Sequence, residues 1–540
     1  MRMMDNTGWG IRAAACLACL GIAAATPSAR AGTPPDTLVV AQNIEGALTM
    51  DTGQLAEGNI TAIFQSVCDK LVRRDLEDFH KLDPGIAEAW KISPDGQTVT
   101  FTIRPGLKFS GSGNPVTAND AVWSTKRLIK LGFGAAAELQ QWGFNKDNID
   151  QLITAPDSMT MQVKLPAPAP MFDVLYATFS DRPGFVLDSQ EIMKHEVNGD
   201  LGNKWMQQRT ACVGPFRLQV WKPGDAIVFQ RNDDYFGPKP SLARMVFQNV
   251  PESGTQRLLL ERGDADVAWD LNPTDIDAIS QGKNARVLSV LTDSFAHLTF
   301  NHGKKPFDDA RVVDAFRYLI DYQALSRTVY KGQGEIRQVL VPINAFGALS
   351  KEEGASLHLD LDKAKALITA AGYPNGFSAS LWTVIAPGMP EIAQHIQENA
   401  AKIGINLTVE KKSDGDLFPR YRSRNFDIVL VSWAALYPDA DAMVSRLAWD
   451  PDVSLESKLS HFPTWRAAWE DPWFNDMTLK GRTEQDPEKR KAIYVELQRR
   501  WLHEAPFVFL FQNYRRVGVS SAVKSLPQNP YTDFFGYAEK

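Results

Sequence analysis

Leu82-Asp83-Pro84-Gly85-Ile86-Ala87-Glu88-Ala89-Trp90 leads through Ser93-Pro94-Asp95-Gly96 to Phe101-Thr102-Ile103-Arg104-Pro105-Gly106-Leu107-Lys108-Phe109. Pro-Asp-Gly stands there between two runs rich in aromatic and β-branched residues, Trp90-Lys91-Ile92 and Thr98-Val99-Thr100-Phe101-Thr102-Ile103. Proline presets φ for a turn and glycine accepts a positive φ, so the stretch reads as a β-hairpin. Pro223-Gly224-Asp225 predicts a second hairpin of the same kind. Thr117, with Asp120 as a capping-box-like acid, opens a helix carrying Ala121, Val122 and Leu128.

Outward from this block, strands and helices alternate. Strands are predicted at 37–41, 407–409, 426–431 and 507–511, and two β-like runs over 286–301. Helices are predicted at 59–72, 253–262, 309–320, 362–371, 390–403 and 488–503. Such alternation implies an α/β protein with mixed sheets covered by helices.

The 540 residues carry 58 Lys+Arg against 64 Asp+Glu, a formal charge of -6, which leaves no nucleic-acid footprint. Arg2 and Arg12 precede an apolar run over 13–25, and Ala29-Arg30-Ala31 supplies a small-x-small site. This reads as a signal peptide over 1–31, cleaved after about Ala31, and places the mature protein in the periplasm. Cys16 and Cys19 fall inside it. Cys68 and Cys212 remain, either bridged or as two buried thiols.

No G-x-S-x-G elbow, P-loop or dinucleotide fingerprint is present, and His195-Glu196 lacks the second histidine of a zinc helix. The eight histidines have no ligand spacing. The sequence thus calls for no catalytic residue, metal or cofactor, and points to binding.

The block at 82–109, continued by Asn114-Pro115-Val116-Thr117-Ala118-Asn119-Asp120-Ala121-Val122, closely resembles the family 5 extracellular solute-binding proteins. Further matches follow in order: Gly214-Pro215-Phe216, Arg231-Asn232-Asp233-Asp234-Tyr235-Phe236, Arg262-Gly263-Asp264-Ala265-Asp266-Val267, Phe307-Asp308-Asp309-Ala310-Arg311-Val312, Ala370-Ala371-Gly372-Tyr373-Pro374 and Asp486-Pro487-Glu488-Lys489-Arg490. The resemblance implies a bilobal periplasmic-binding-protein fold of the large cluster-C type, with an extra subdomain inserted in lobe I and a two-crossing hinge. It implies lobe I at 32–75, 205–293 and 512–540, the inserted subdomain at 76–204, and lobe II at 294–511.

The implied function is the substrate-binding component of an ATP-driven (ABC) importer, not an enzyme. A monomer captures a small polar solute, a peptide or peptide-like compound, and delivers it to the permease and its ATPase subunits. A secreted hydrolase or a chemoreceptor-linked binding module on the same scaffold is the alternative. In the segment Ser432-Trp433-Ala434-Ala435-Leu436-Tyr437-Pro438-Asp439-Ala440-Asp441, peptide-binding relatives place an aromatic at the Trp433 position and, three residues on, an aspartate for the peptide's α-amino group. Leucine stands there instead, at Leu436, and the arginine that dipeptide receptors carry near Pro390-Glu391 has no counterpart. This fits a ligand lacking a free α-amine at that point, or an amine held by Asp439. The candidate ligand-binding residues are Trp433, Leu436, Tyr437, Asp439, Trp269, Trp382 and Asn301.

Overall fold

The computed structural model describes residues 32–54, 63–460, 462–533 and 535–540. The signal-peptide expectation therefore lies outside the described residues, as do the first residues of the helix expected over 59–72. Among the described residues no helix is long and apolar enough to cross a membrane.

The predicted hairpin forms as written. Ala87–Ile92 and Thr98–Ile103 pair antiparallel around Gly96, whose φ is 70°. With Thr160–Lys164 and Ile153–Asp157 they make a separate four-stranded sheet. Helix Ala118–Leu131 packs against its strands. Asp120 accepts from the Thr117 N–H at 2.9 Å and its hydroxyl at 2.7 Å, as the capping pattern requires.

The main sheet has eleven strands. Its path runs through Asn406–Lys412, Ser378–Val384, Ile428–Ala434, Ala285–Phe300, Phe507–Ser520, Val267–Ala268, Thr37–Gln42, Arg244–Asn249, Ala226–Arg231 and Phe216–Lys222. Two long strands hold it together. Ala285–Phe300, expected as two runs, is a single strand pairing antiparallel with Phe507–Ser520, and the register slips between Leu291 and Phe295. Below the slip Phe507–Ser520 also pairs with Val267–Ala268; above it Ala285–Phe300 also pairs with Ile428–Ala434. Ala285–Phe300 and Phe507–Ser520 thus cross from one half of the sheet to the other as adjacent strands, and the register slip marks the crossing.

Three apolar clusters form the bulk of the core. One lies under the first half of the sheet and contains Leu38, Val40, Phe229, Phe247, Val267 and Val519. A second, with Leu298, Phe316, Leu381, Ile392 and Leu430, lies on one face of the other half. The third joins the small sheet, through Phe101, Met161 and Tyr176, to Tyr437, Tyr494, Trp501 and Phe509.

The helix expected over 59–72 does not persist. Val72–Arg74 is a strand paired with Leu82–Pro84, and the Leu71 and Asp69 N–H groups bond to Gly184 and Val213 carbonyls. Backbone pairing to distant segments overrides the 3.6-residue apolar spacing here. Cys68 and Cys212 are joined in a disulfide, with Cα atoms 5.3 Å apart across 144 residues of sequence. That settles the alternative left open above.

Candidate functional site

Both halves of the main sheet aim the carboxyl ends of parallel strands at the crossing. In one half Thr37–Gln42 runs parallel to Arg244–Asn249 and Val267–Ala268. In the other Ser378–Val384 runs parallel to Asn406–Lys412 and Ile428–Ala434. Pairing with the crossing strands gives the direction. Val267 lies opposite Val519 and Ala268 opposite Gly518; Ile428 lies opposite Phe300 and Ala434 opposite Ser294. Both sets therefore end toward the register slip, and open α/β sheets bind ligands outside such ends.

A cleft of about 220 Å³ opens there. Leu271, Pro273 and Ile276 line it from one half; Ala386, Pro387, Met389 and Ser432 line it from the other. The crossing strand contributes Asn513, Tyr514 and Arg516, and the turn before the short strand Gly334–Ile336 adds Tyr330 and Gln333. Most of this polar lining is already committed. The Tyr330 hydroxyl donates to Asn513 Oδ1 at 2.7 Å and the Tyr514 hydroxyl to Glu335 Oε1 at 2.8 Å. Asn513 Nδ2 donates to the Ser294 hydroxyl at 3.3 Å, and Gln333 Nε2 to the Val329 carbonyl at 2.8 Å. Lys351, with help from Tyr514, holds the Glu335 carboxyl below its ordinary range. The lining is thus pinned by its own bonds before any ligand arrives.

Three loops leaving the converging strand ends each expose a large apolar side chain: Leu48 at 81%, Ile385 at 71% and Leu436 at 40%. Sequence reading singled out only Leu436. Leu48 follows Thr37–Gln42 within six residues, where a strand-end rule applied to the predicted strand was the available signal; Ile385 follows Ser378–Val384, a strand the sequence reading did not predict.

The predicted site residues do not gather in this cleft. Trp433 follows Ser432 in the same strand, so alternation turns it to the opposite face. There it is half-buried, opposite Phe295, with the Arg466 guanidinium 5.5 Å from its ring. Tyr437 is buried, with its hydroxyl donating to Asp441 at 3.0 Å. Asp439 is buried and held by Arg490. Trp269 packs on Phe535 in the core of the first half. Trp382 donates to Glu410 at 3.2 Å and lies under Lys412. Asn301 is buried and donates to the Arg424 and Phe426 carbonyls at 2.8 and 3.0 Å. Tyr437, Asp439, Trp269, Trp382 and Asn301 thus do structural work in the places where the chain puts them.

A larger hollow, about 650 Å³, is lined by Phe109, Asp188, Trp205, Arg209 and Trp221 among others. All of its lining lies within residues 109–223, on one side of the crossing. Bending at the crossing would not close it around a guest.

The family model described as bacterial extracellular solute-binding proteins, family 5, matches residues 81–452. The chain belongs to this family. A probable D,D-dipeptide-binding periplasmic protein of Escherichia coli K12 is 26% identical over 521 residues, covering 95% of this chain and 96% of that one. The dipeptide-binding protein of Pseudoalteromonas sp. SM9913, solved with Met-Leu, superposes with a TM-score of 0.79 at 23% identity, over 93% of this chain and 100% of its own. A periplasmic binding protein of A. tumefaciens R10, solved with agropinic acid, gives 0.76 at 23% identity, over 93% and 96%. The fold is accordingly the bilobal, mixed α/β fold of the periplasmic binding proteins. As a family 5 member the protein is the solute-binding component of an ABC importer.

Proposed function

We propose that this protein captures a small polar solute, a peptide or peptide-like compound, between its two lobes in the periplasm and hands it unaltered to the importer's permease. The observation that carries this reading is the cleft at the crossing, which takes side chains from both halves of the sheet. A ligand shifts the protein toward a closed arrangement only through contacts it makes with both sides there. The periplasmic and peptide-like parts of the proposal are supported by the relatives' names, and delivery to a permease is supported by the family; action as a monomer, with the importer's ATPase subunits as further partners, is part of the proposal.

The same reading divides the chain as the resemblance does, with lobe I at 32–75, 205–293 and 512–540, an inserted subdomain at 76–204 and lobe II at 294–511. The separate four-stranded sheet supports the insertion, and the two long crossing strands support the hinge. Within this scheme Leu436 stands on the rim of the binding region, since it keeps exposed surface at a converging strand end. The hydrolytic and chemoreceptor alternatives have no specific observation in their favour.

Native mass spectrometry of protein purified from its own host, paired with solute uptake in a deletion strain, tests the proposal. The expected result is a bound small molecule, recovered chemically intact, whose uptake falls on deletion. A solute that leaves hydrolysed, or unchanged uptake, overturns it.

A further inference from the structure

Arg516 is the one charged group among the described residues lining the cleft, and no carboxylate lines it. It sits on the crossing strand opposite Ser289, half-buried. Among the described residues its guanidinium has neither an ion-pair partner nor a hydrogen-bond acceptor, unlike its neighbour Arg515, which donates to the Asn529 carbonyl at 2.9 Å. The chain makes room for it. Gly332, at φ 69°, would place a Cβ 3.0 Å from Arg516 Nη1, so a larger residue there would push the guanidinium aside.

An unpaired, half-buried guanidinium lining a cleft favours an anion, and carboxylates match its fork. Recognition of an ammonium group needs the opposite, a free carboxylate, and the nearby acids are committed. Asp270, beside Leu271, accepts the Asn43 N–H at 2.6 Å. Glu335 accepts from the Tyr514 hydroxyl at 2.8 Å and pairs with Lys351 at 2.9 Å. Leu436, exposed at a converging strand end, offers an amine no charge.

Resting on the receptor reading above, we propose that Arg516 anchors a carboxylate of the transported solute. The solute class is then a small acid without a free α-ammonium group at the binding point, such as an N-acylated or otherwise amine-blocked peptide acid.

The test compares N-acetylated dipeptides, as free acids and as carboxamides, by calorimetric titration and thermal shift of the mature chain, wild type and Arg516→Gln. The acids are expected to bind wild type, with at least one raising its midpoint. The matching carboxamides, and all acids on Arg516→Gln, are expected to bind about ten- to a hundredfold more weakly, the span of one charge-assisted contact. Circular dichroism and the unliganded midpoint check that Arg516→Gln is folded, and Arg516→Lys is expected to recover part of the affinity. Acids and amides binding alike, no acid binding, or undiminished binding by Arg516→Gln each overturn the proposal. If the host-purified Arg516→Gln protein still carries an intact solute at wild-type occupancy, the anchor fails while the receptor reading stands. If the wild type carries none, it is the receptor reading that fails.

Discussion

Arg490 forks across Asp439, with Nη1 2.6 Å from one carboxylate oxygen and Nη2 2.8 Å from the other. The same guanidinium reaches Asp173 at 3.2 Å, on the short helix Met171–Val174, so it ties the segment after the small sheet to the loop that follows Ile428–Ala434. Asp439 is thereby spent on structure. Asp439→Ala leaves a buried guanidinium without its main partner and is expected to lower unfolding stability by about 3–5 kcal/mol. Urea denaturation reads this directly. At temperatures where the variant is folded, its solute affinity should stay within twofold of wild type; a selective loss of binding would return Asp439 to the site.

Leu436→Asp supplies the acid that peptide-binding relatives carry at this position. Its side chain is 40% exposed, so the new carboxylate stays hydrated and the fold should hold. Affinity for unblocked dipeptides is expected to rise about tenfold, the scale of one charge-assisted hydrogen bond. Titration with a dipeptide and its N-acetyl form measures it. Equal change for both would show that residue 436 does not meet the ligand's amino end.

The Cys68–Cys212 bridge closes a loop spanning 144 residues. By the chain-entropy model such a closure restrains the unfolded chain by on the order of 4–5 kcal/mol. Cys68→Ser with Cys212→Ser, or reduction of the wild type, should lower the thermal midpoint by several degrees. Non-reducing electrophoresis of protein exported to an oxidising compartment checks that the bridge is present to begin with.

His297 is fully buried, stacked on Phe509 at 4.8 Å, and burial pushes its imidazole down from 6.5 to about 4. The unfolded chain therefore takes up a proton between these two values while the folded chain does not. Stability from this residue is complete above pH 6.5 and is lost as pH falls toward 4. The loss amounts to about 3 kcal/mol, on the scale of 1.36 kcal/mol per pH unit. His297→Leu should flatten the pH dependence of unfolding over that interval. Identical slopes in the two proteins would refute the assignment.

The hairpin at Gly96, the capped helix opened by Thr117 and the alternation that sets the α/β class were all legible locally. Each rests on interactions within a few residues, where turn chemistry and side-chain periodicity act without help from the rest of the chain. The run at 59–72 shows where such reading stops. Its apolar spacing suits a helix, yet Val72–Arg74 finds strand partners at Leu82–Pro84. The candidate site was legible only as a region. Leu436 lies at a converging strand end and Trp433 turns to the face away from the cleft, while Asp439, Trp269, Trp382 and Asn301 had the right chemistry for a ligand and were claimed by other neighbours.

Sequence by itself determined the class of this protein, its broad alternation of strands and helices, and its family, because these are written in patterns of local period and in blocks that recur in order. Only tertiary structure decided which charges are free. Arg490 and Arg516 look alike in the chain, but one lies within reach of two carboxylates and the other faces an open cleft without any. A side chain's availability depends on what the fold brings within about 3 Å of it, and that distance is set by packing between segments hundreds of residues apart.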